Sequence, residues 1–334
     1  MTLLIVIIVL GLVFDFINGF HDAANAIACV VTTKVLSPLK AVIWAASFNF
    51  LAFFVAKYII GEFGIADTIS KVVYHEFITL PIILSGLIAA ISWNLLTWWL
   101  GIPSSSSHTL IGGFAGAAAC ASGFSVIHTG VVGLIAAFIV LAPVIGLVIS
   151  TIISTIVLWS FRKMNVHRAN RIFKRIQLIS SGLFSIGHGL NDSQKVMGII
   201  ATAMIATGSI DNVNSMPNWL PLSCFAAIGA GTMVGGWRII KTMGSKITKI
   251  TPREGVCADM AGAFTLFITE ILKVPVSTTH TITGAIMGVG AVKRLSAVRW
   301  GVSIKLVWAW ILTIPVSGAL AALIYLMFRA FGMC

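Results

Sequence analysis

Residues 184–195, FSIGHGLNDSQK, repeat residues 14–25, FDFINGFHDAAN, at an offset of 170, with Phe, Gly and Asp coinciding. A second pair follows the same rule. Residues 275–288, PVSTTHTITGAIMG, align with 103–116, PSSSSHTLIGGFAG, at an offset of 172, matching Pro, Ser, His, Thr and two Gly. Pro143-Val144 returns as Pro315-Val316 at that offset. Self-similarity of this kind means that one half of the chain is a copy of the other.

The repeats lie in a chain of 334 residues that is 58% hydrophobic and 10% charged, with a mean hydropathy of +1.02. A soluble domain needs about a quarter charged residues to cover its surface, so the reading is a polytopic membrane protein. Apolar spans long enough to cross roughly 30 Å of hydrocarbon fall at 3–33, 40–61, 78–100, 130–161, 177–208, 219–240, 255–272 and 301–328. Shorter Gly-rich segments lie at 103–121 and 275–290. Spans without internal backbone pairing are not viable in lipid, so the fold class is an all-α bundle. The first span lacks a basic leading region and a cleavage site and is read as a mature transmembrane segment. Cys29, Cys120, Cys224, Cys257 and Cys334 show no CxxC spacing and are assigned to packing.

The net charge of +12 sits in short loops between spans, which points to topology and away from nucleic acid. Residues 162–175 hold six Lys and Arg and no acid. They are expected to be cytoplasmic, as are the loops bearing Lys241, Lys246, Lys249 and Arg253, and Lys293, Arg294 and Arg299. Residues 62–76, with Glu62, Asp67 and Glu76, read as external. If each Gly-rich segment is one crossing, each half crosses five times, and an odd number inverts one half relative to the other. The expected organisation is a first inverted repeat at 1–161, a basic cytoplasmic linker at 162–176 and a second inverted repeat at 177–334, with both termini outside an inner membrane.

Five acids, Asp15, Asp22, Asp192, Asp259 and Glu270, fall in or at the ends of these spans, where a charge costs at least ~2.5 kcal/mol. Asp22 and Asp192 hold equivalent places, flanked by Gly and Asn residues that weaken a helix. The composition predicts a broken helix at each motif, facing a cavity or buried in protein. In PSSSSHT and PVSTTHT, Pro before Ser and Thr reads as a helix N-terminus suited to an anion. The same small residues, with Gly112, Gly113 and Gly116, also suit close helix packing. These Ser/Thr-rich segments are expected as half-helices or re-entrant segments meeting at a central site.

Together the four motifs resemble the inorganic phosphate transporter (PiT) family over nearly the whole chain, nearest to its bacterial low-affinity, proton-coupled members. GFHDAANA and GLNDSQK look like the family's paired signatures. The resemblance implies symport of inorganic phosphate with a cation, no cofactor and no enzymatic activity. It places substrate on Asp22, Asn25, Ser105, Ser106, Ser107, Asn191, Asp192, Gln194, Ser277, Thr278 and Thr279. Lys195, which replaces the usual Asn, is expected to neutralise one charge. Coupling is assigned to Asp22, Asp192 and Asp259. Sodium-dependent members carry a Glu in the second span where this chain has Asn49, with Asp259 read as the matching acid of the other half. That departure favours protons over sodium and a phosphate carried with a divalent metal.

Phosphate beside two carboxylates is repulsive by ~4 kcal/mol for unit charges 4 Å apart at an effective dielectric of 20, so the coupled cation must offset that repulsion. His21, His108, His188 and His280 all fall in the motifs, either as buried hydrogen-bond partners or as metal ligands. The lipid bilayer and a second copy of the chain are the expected surroundings. A sulfate permease of the same family is the alternative substrate reading. An intramembrane hydrolase using a Ser of SSSSH is a further one, disfavoured because adjacent Ser107 and His108 point about 100° apart on a helix.

Overall fold

A computed structural model describes residues 1–334. The chain forms twelve α-helices: α1 (Thr2–Thr32), α2 (Pro38–Val55), α3 (Gly64–Ser70), α4 (Leu80–Leu100), α5 (Ser106–Ser122), α6 (Thr129–Phe161), α7 (Val166–Ala206), α8 (Trp219–Val234), α9 (Trp237–Lys241), α10 (Pro252–Ile271), α11 (Thr278–Lys293) and α12 (Trp300–Ala330). Pro opens α2, α4 and α10, where its missing N–H is one that a helix start leaves unpaired anyway. Left-handed Gly61 and Gly101 stop the helical runs that end α2 and α4, a conformation that glycine adopts without strain.

Contacts between loops sort the helix ends onto two faces. On one face Val73 bridges to Ile127, Lys273 pairs with Glu62, and Lys57 donates to Asn218. On the other, Arg238 donates to the Trp99 carbonyl, Thr242 to the Gly101 carbonyl and the Arg299 amide to the Ile247 carbonyl. Gly11 near the start of α1 meets Ile200 near the end of α7, so these two helices run antiparallel. The two halves are therefore inverted, with α1, α2, α4, α5 and α6 tracing the path that α7, α8, α10, α11 and α12 trace in reverse.

The halves are also interleaved. Helix α5 packs along α12 and α11 along α6, each crossing to the opposite half, and α1 packs on α8 while α2 lies against α7 and α8. Gly116 meets Gly318, and Gly284 meets the backbone of Pro143. A side chain at Gly116 or Gly284 would collide with backbone, so the small residues of the Gly-rich segments do serve packing. Two apolar clusters occupy opposite ends of α1. Leu4, Ile7 and Phe14 belong to one, Ala24 and Ala26–Val30 to the other, and the polar stretch lies between them.

Three expectations change. First, α1 and α7 run unbroken through the Asp motifs. A mid-helix Gly weakens a helix by about 1 kcal/mol relative to Ala, but Gly19 admits the backbone of Ile228 and Thr232, and Gly189 that of Asn49. The glycines serve close approach, and packing offsets their cost. The breaks lie elsewhere, at the starts of α5 and α11 and between α8 and α9, which bend by 65°. Second, α1, α2, α4, α6 and α12 are long and apolar enough to span alone, and α8 with α9 makes a bent sixth, whereas α7 and α10 are too polar to count. The middle of α7 crosses inside the protein, with residues 187–204 buried throughout, whereas α10 is buried on one side and leaves Phe264 and Ile268 exposed on the other. A helix jacketed by helices has no need of an apolar surface. Third, Asp259 lies on α10, whose counterpart is α4, so it is not the repeat partner of Asn49 on α2.

Candidate functional site

Four helices bring the motifs together at mid-height. Positions 15, 18, 22 and 25 of α1 follow a three-four-three spacing that keeps them on one helix face. On α7 the counterparts are 185, 188, 192 and 195, and all eight side chains are buried. The third and fourth positions of both stripes meet the first turns of α5 and α11.

Each of those turns starts in the same way. The Ser105 hydroxyl accepts the His108 amide, and the Ser277 hydroxyl accepts the His280 amide. Both are N-caps, which leaves the first amides of each helix without an intrahelical partner. Ser106 Oγ then donates to Asp22 Oδ2 at 3.2 Å. Its counterpart Thr278 has its Oγ1 3.4 Å from Asp22 Oδ2 and 3.2 Å from Asp192 Oδ2, so one hydroxyl stands between two carboxylates. It can donate to only one of them at a time.

The repeats cross over at the fourth position. Asn25 Nδ2 donates to Thr279 at 2.9 Å and Thr278 at 3.3 Å on α11. Lys195 Nζ donates to Ser107 on α5 and to the Val276 carbonyl, both at 2.6 Å, and pairs with Asp192 Oδ1 at 2.6 Å. Ser107 and Thr279 are equivalent residues, so each long helix reaches one N-terminal turn through its own variant side chain.

A histidine stands beside each of the two carboxylates. His21 Nδ1 lies 2.6 Å from Asp22 Oδ1, and its Nε2 is within 3.1 Å of Thr97 and 3.3 Å of Ser104. On the other helix, His188 Nδ1 faces Asn49 Oδ1 at 3.2 Å, and Asn49 Nδ2 donates to Thr232 at 2.8 Å. An amide oxygen requires a proton on Nδ1, so the neutral tautomer turns the Nε2 lone pair toward Asp192 Oδ2, 3.2 Å away. Ligand atoms of Asp22, His188 and Asp192 all lie within 4.8 Å of one another, compatible with one cation.

Asp22, Asn25, Ser106, Ser107, Asp192, Lys195, Thr278 and Thr279 form this centre, with Ser105 and Ser277 as the caps beneath it. Asn191 is buried beside Asp192 and makes no side-chain hydrogen bond within the protein. Two expected members stand elsewhere. Gln194 donates to Glu270 at 2.6 Å and accepts the Ile65 amide at 3.1 Å, so it ties α7 to α10 and α3. Asp259 faces Ser180 at 3.5 Å, twelve positions before Asp192 and about 18 Å along α7 at 1.5 Å per residue. His108 and His280 face each other with ring centroids 4.9 Å apart, His280 stacked on Trp310, and neither touches a carboxylate. Sequence reasoning missed the supports Thr232, Thr97 and Ser104, and reads Asn49 as a missing acid without its contact to His188. Their only signal is that they are polar residues in or beside apolar spans.

Two inverted, interleaved halves with half-helix N-termini aimed at a polar site in mid-membrane define a secondary transporter. Comparison with known proteins is then specific. The phosphate transporter family matches residues 18–321. Over 326 residues the chain is 47% identical to a "Probable low-affinity inorganic phosphate transporter" of Rhizobium meliloti strain 1021, covering 97% of this chain and 96% of that one. A protein of the same description from Bacillus subtilis strain 168 is 44% identical over 97% of both chains. Among solved structures, "The sodium-dependent phosphate transporter" superposes with a TM-score of 0.86 at 26% identity, over 99% of this chain and 100% of that one. The chain belongs to the phosphate transporter family, and it is a multi-pass membrane transporter, not an enzyme.

Proposed function

We propose that this chain moves inorganic phosphate across the cytoplasmic membrane in symport with protons, and that the phosphate travels with a divalent metal ion. The observation that carries the reading is the convergence of the α5 and α11 N-terminal turns on Asp22 and Asp192. Helix starts favour an oxyanion, and two carboxylates favour a cation, so anion and cation each bind best with the other present. The phosphate oxygens would take the first-turn amides and the hydroxyls of Ser106, Ser107, Thr278 and Thr279, together with Asn25, Asn191 and the Lys195 ammonium. The metal, as cargo, would take Asp22, Asp192 and the His188 Nε2 lone pair.

The organisation proposed is the one read from the sequence, with repeats at 1–161 and 177–334, the 162–176 linker in the cytoplasm and both termini outside. It is supported by the acidic character of the 62–76 segment on one face and the basic character of the loops on the opposite one. Proton coupling is supported by Asn49, which binds His188 where sodium-dependent members are expected to carry a Glu.

The test is uptake of radiolabelled phosphate into proteoliposomes under an imposed proton gradient or an imposed sodium gradient, each with and without Mg²⁺. Proton-driven uptake enhanced by the metal is the expected result. Uptake that requires sodium overturns the coupling assignment, and metal-independent uptake overturns the cargo assignment.

A further inference from the structure

The five acids expected at membrane depth differ in one respect. Asp22 and Asp192 are engaged through both oxygens. Asp259 and Glu270 each have one oxygen engaged, with Ser180 and Gln194. Asp15 alone has both carboxyl oxygens without a hydrogen-bond partner, and it is fully buried.

Its placement is not that of a stray core residue. Asp15 lies seven positions before Asp22, two turns and about 10 Å along α1, on the face that carries Asn18 and Asp22. Asn18 Oδ1 is likewise buried and unpartnered. The start of α1 and the end of α7 share one side of the membrane, so Asp15 and Lys195 both lie on that side of the Asp22–Asp192 pair. The titratable groups that face Asp15 are the Cys224 thiol on α8 and, farther off, Asp192 and Lys195 on α7, with Asn18 the polar neighbour on α1. Neither Cys224 nor Asn18 makes a hydrogen bond of ordinary geometry to it.

An ionised Asp15 would be an anion in mid-membrane with only a thiol and an amide beside it, neither in hydrogen-bond geometry, and no cation in contact. A bound proton removes that charge without needing further ligands around the carboxyl. The counterpart on α7 is Ser185, which donates to the Ser181 carbonyl and has no such requirement. One repeat therefore carries a protonatable group at this position of the stripe and the other does not.

We infer that Asp15 is the residue that carries the coupled proton: one carboxylate oxygen takes a proton from the face bearing Glu62 and Lys273, and releases it after phosphate has crossed. This rests on the proton-symport reading and names the group that performs it. Because the proton binds away from the phosphate ligands, coupling and substrate binding are separable by mutation.

The experiment uses the full chain in proteoliposomes with three readouts: phosphate exchange at equal concentrations on both sides, accumulation driven by an imposed proton gradient, and alkalinisation of the outer medium during uptake. Asp15→Asn mimics the protonated carboxyl but cannot release a proton. It should retain exchange within about twofold of wild type while proton-driven accumulation and alkalinisation fall to the level of empty liposomes. Asp15→Glu should restore both. Asp15→Asn with wild-type accumulation overturns the inference, because the proton must then ride elsewhere. Asp15→Asn that reaches the membrane folded but has lost exchange also overturns it, because the residue then serves binding. The wild-type chain alone decides the underlying reading: if it accumulates phosphate on a sodium gradient and not on a proton gradient, symport with protons fails before any variant is made.

Discussion

Two polar stripes, Asp15-Asn18-Asp22-Asn25 on α1 and Ser185-His188-Asp192-Lys195 on α7, occupy equivalent places in the two repeats and differ at every position but one. The shared position is the carboxylate that meets the helix N-termini. The unshared ones divide the charge: α1 carries a second acid, and α7 carries a base and an imidazole. Net formal charge over the four positions is −2 on α1 and, with His neutral, 0 on α7. Duplication supplied a symmetric frame in which both halves can move about a central site, and divergence made that site electrically lopsided. A symmetric site would present the same charges to a ligand from both sides; a lopsided one separates an acidic side from a side that carries a base.

The largest effect should come from removing the shared carboxylates, and the two should not be equivalent. Asp192→Asn leaves the Lys195 ammonium buried without its anion, a loss of about 3–5 kcal/mol, so it should abolish accumulation and also lower the thermal unfolding midpoint of the purified protein. Asp22→Asn strands no cation, since its partners are hydroxyls and His21. It should abolish accumulation while unfolding within a few degrees of wild type. Equal thermal losses would mean that the two stripes are energetically alike, and the comparison would break.

Next is the exchange of one stripe for the other at the fourth position. Lys195→Asn gives α7 the residue found in α1, removes a charge-assisted bond worth about 1.5–3 kcal/mol, and strands the buried Asp192 carboxylate, so the unfolding midpoint should also fall. The KM for phosphate should rise about tenfold or more while transport at saturation changes less. The effect should be steeper for the dianion than for the monoanion, so it should grow between pH 6 and pH 8 as phosphate itself ionises. A variant with unchanged KM at both pH values would place phosphate away from Lys195.

A smaller effect is expected at Asn49, which touches neither carboxylate. It fixes the His188 ring through the Nδ1 proton, and such outer partners of a metal-binding His are typically worth 10–100-fold in metal affinity. Asn49→Ala should raise the Mg²⁺ or Zn²⁺ concentration needed for half-maximal uptake by about that factor, with little change in phosphate KM at saturating metal. Asn49→Asp, which keeps an oxygen acceptor for His188, should recover most of the loss. Parallel shifts in the metal and phosphate curves would argue that His188 holds the anion side of the site.

These differences mark what the sequence makes legible. Duplication, inversion and the pairing of Asp motifs with Ser/Thr helix starts can all be read because they depend on residue type and spacing. The side that a residue faces is harder. Asp259 and Gln194 have the right chemistry, but Asp259 lies beside Ser180, about 18 Å along α7 from the centre, and rotation about α7 turns Gln194 toward Glu270. The expected helix breaks fail for a related reason: Gly19 and Gly189 look like breakers until the backbones of α8 and α2 are seen against them. Interleaving is invisible altogether, because α5 finds α12 and α11 finds α6 only through long-range packing. Asn49 reads in the sequence as a missing acid and not as the support of His188, since no local pattern links residues 139 positions apart.

Gln194 offers the smallest expected effect on transport and the sharpest check on facing. The first repeat has Ala24 at the equivalent place, so Gln194→Ala makes the stripes' flanks alike without touching the centre. The loss is structural: the Glu270 carboxyl and the Ile65 amide each lose a buried partner, at about 1–3 kcal/mol for a group left unsatisfied. The unfolding midpoint should therefore fall by several degrees while phosphate KM stays within about twofold of wild type. Gln194→Glu separates the two contributions further, because it retains the acceptor for Ile65 but sets a second carboxyl against Glu270. Its stability should drop more at pH 8 than at pH 5, where a shared proton can bridge the pair. A tenfold rise in KM for Gln194→Ala without loss of stability would instead return this residue to the phosphate ligands, and would mean that α7 rotates between the state described here and the one that binds substrate.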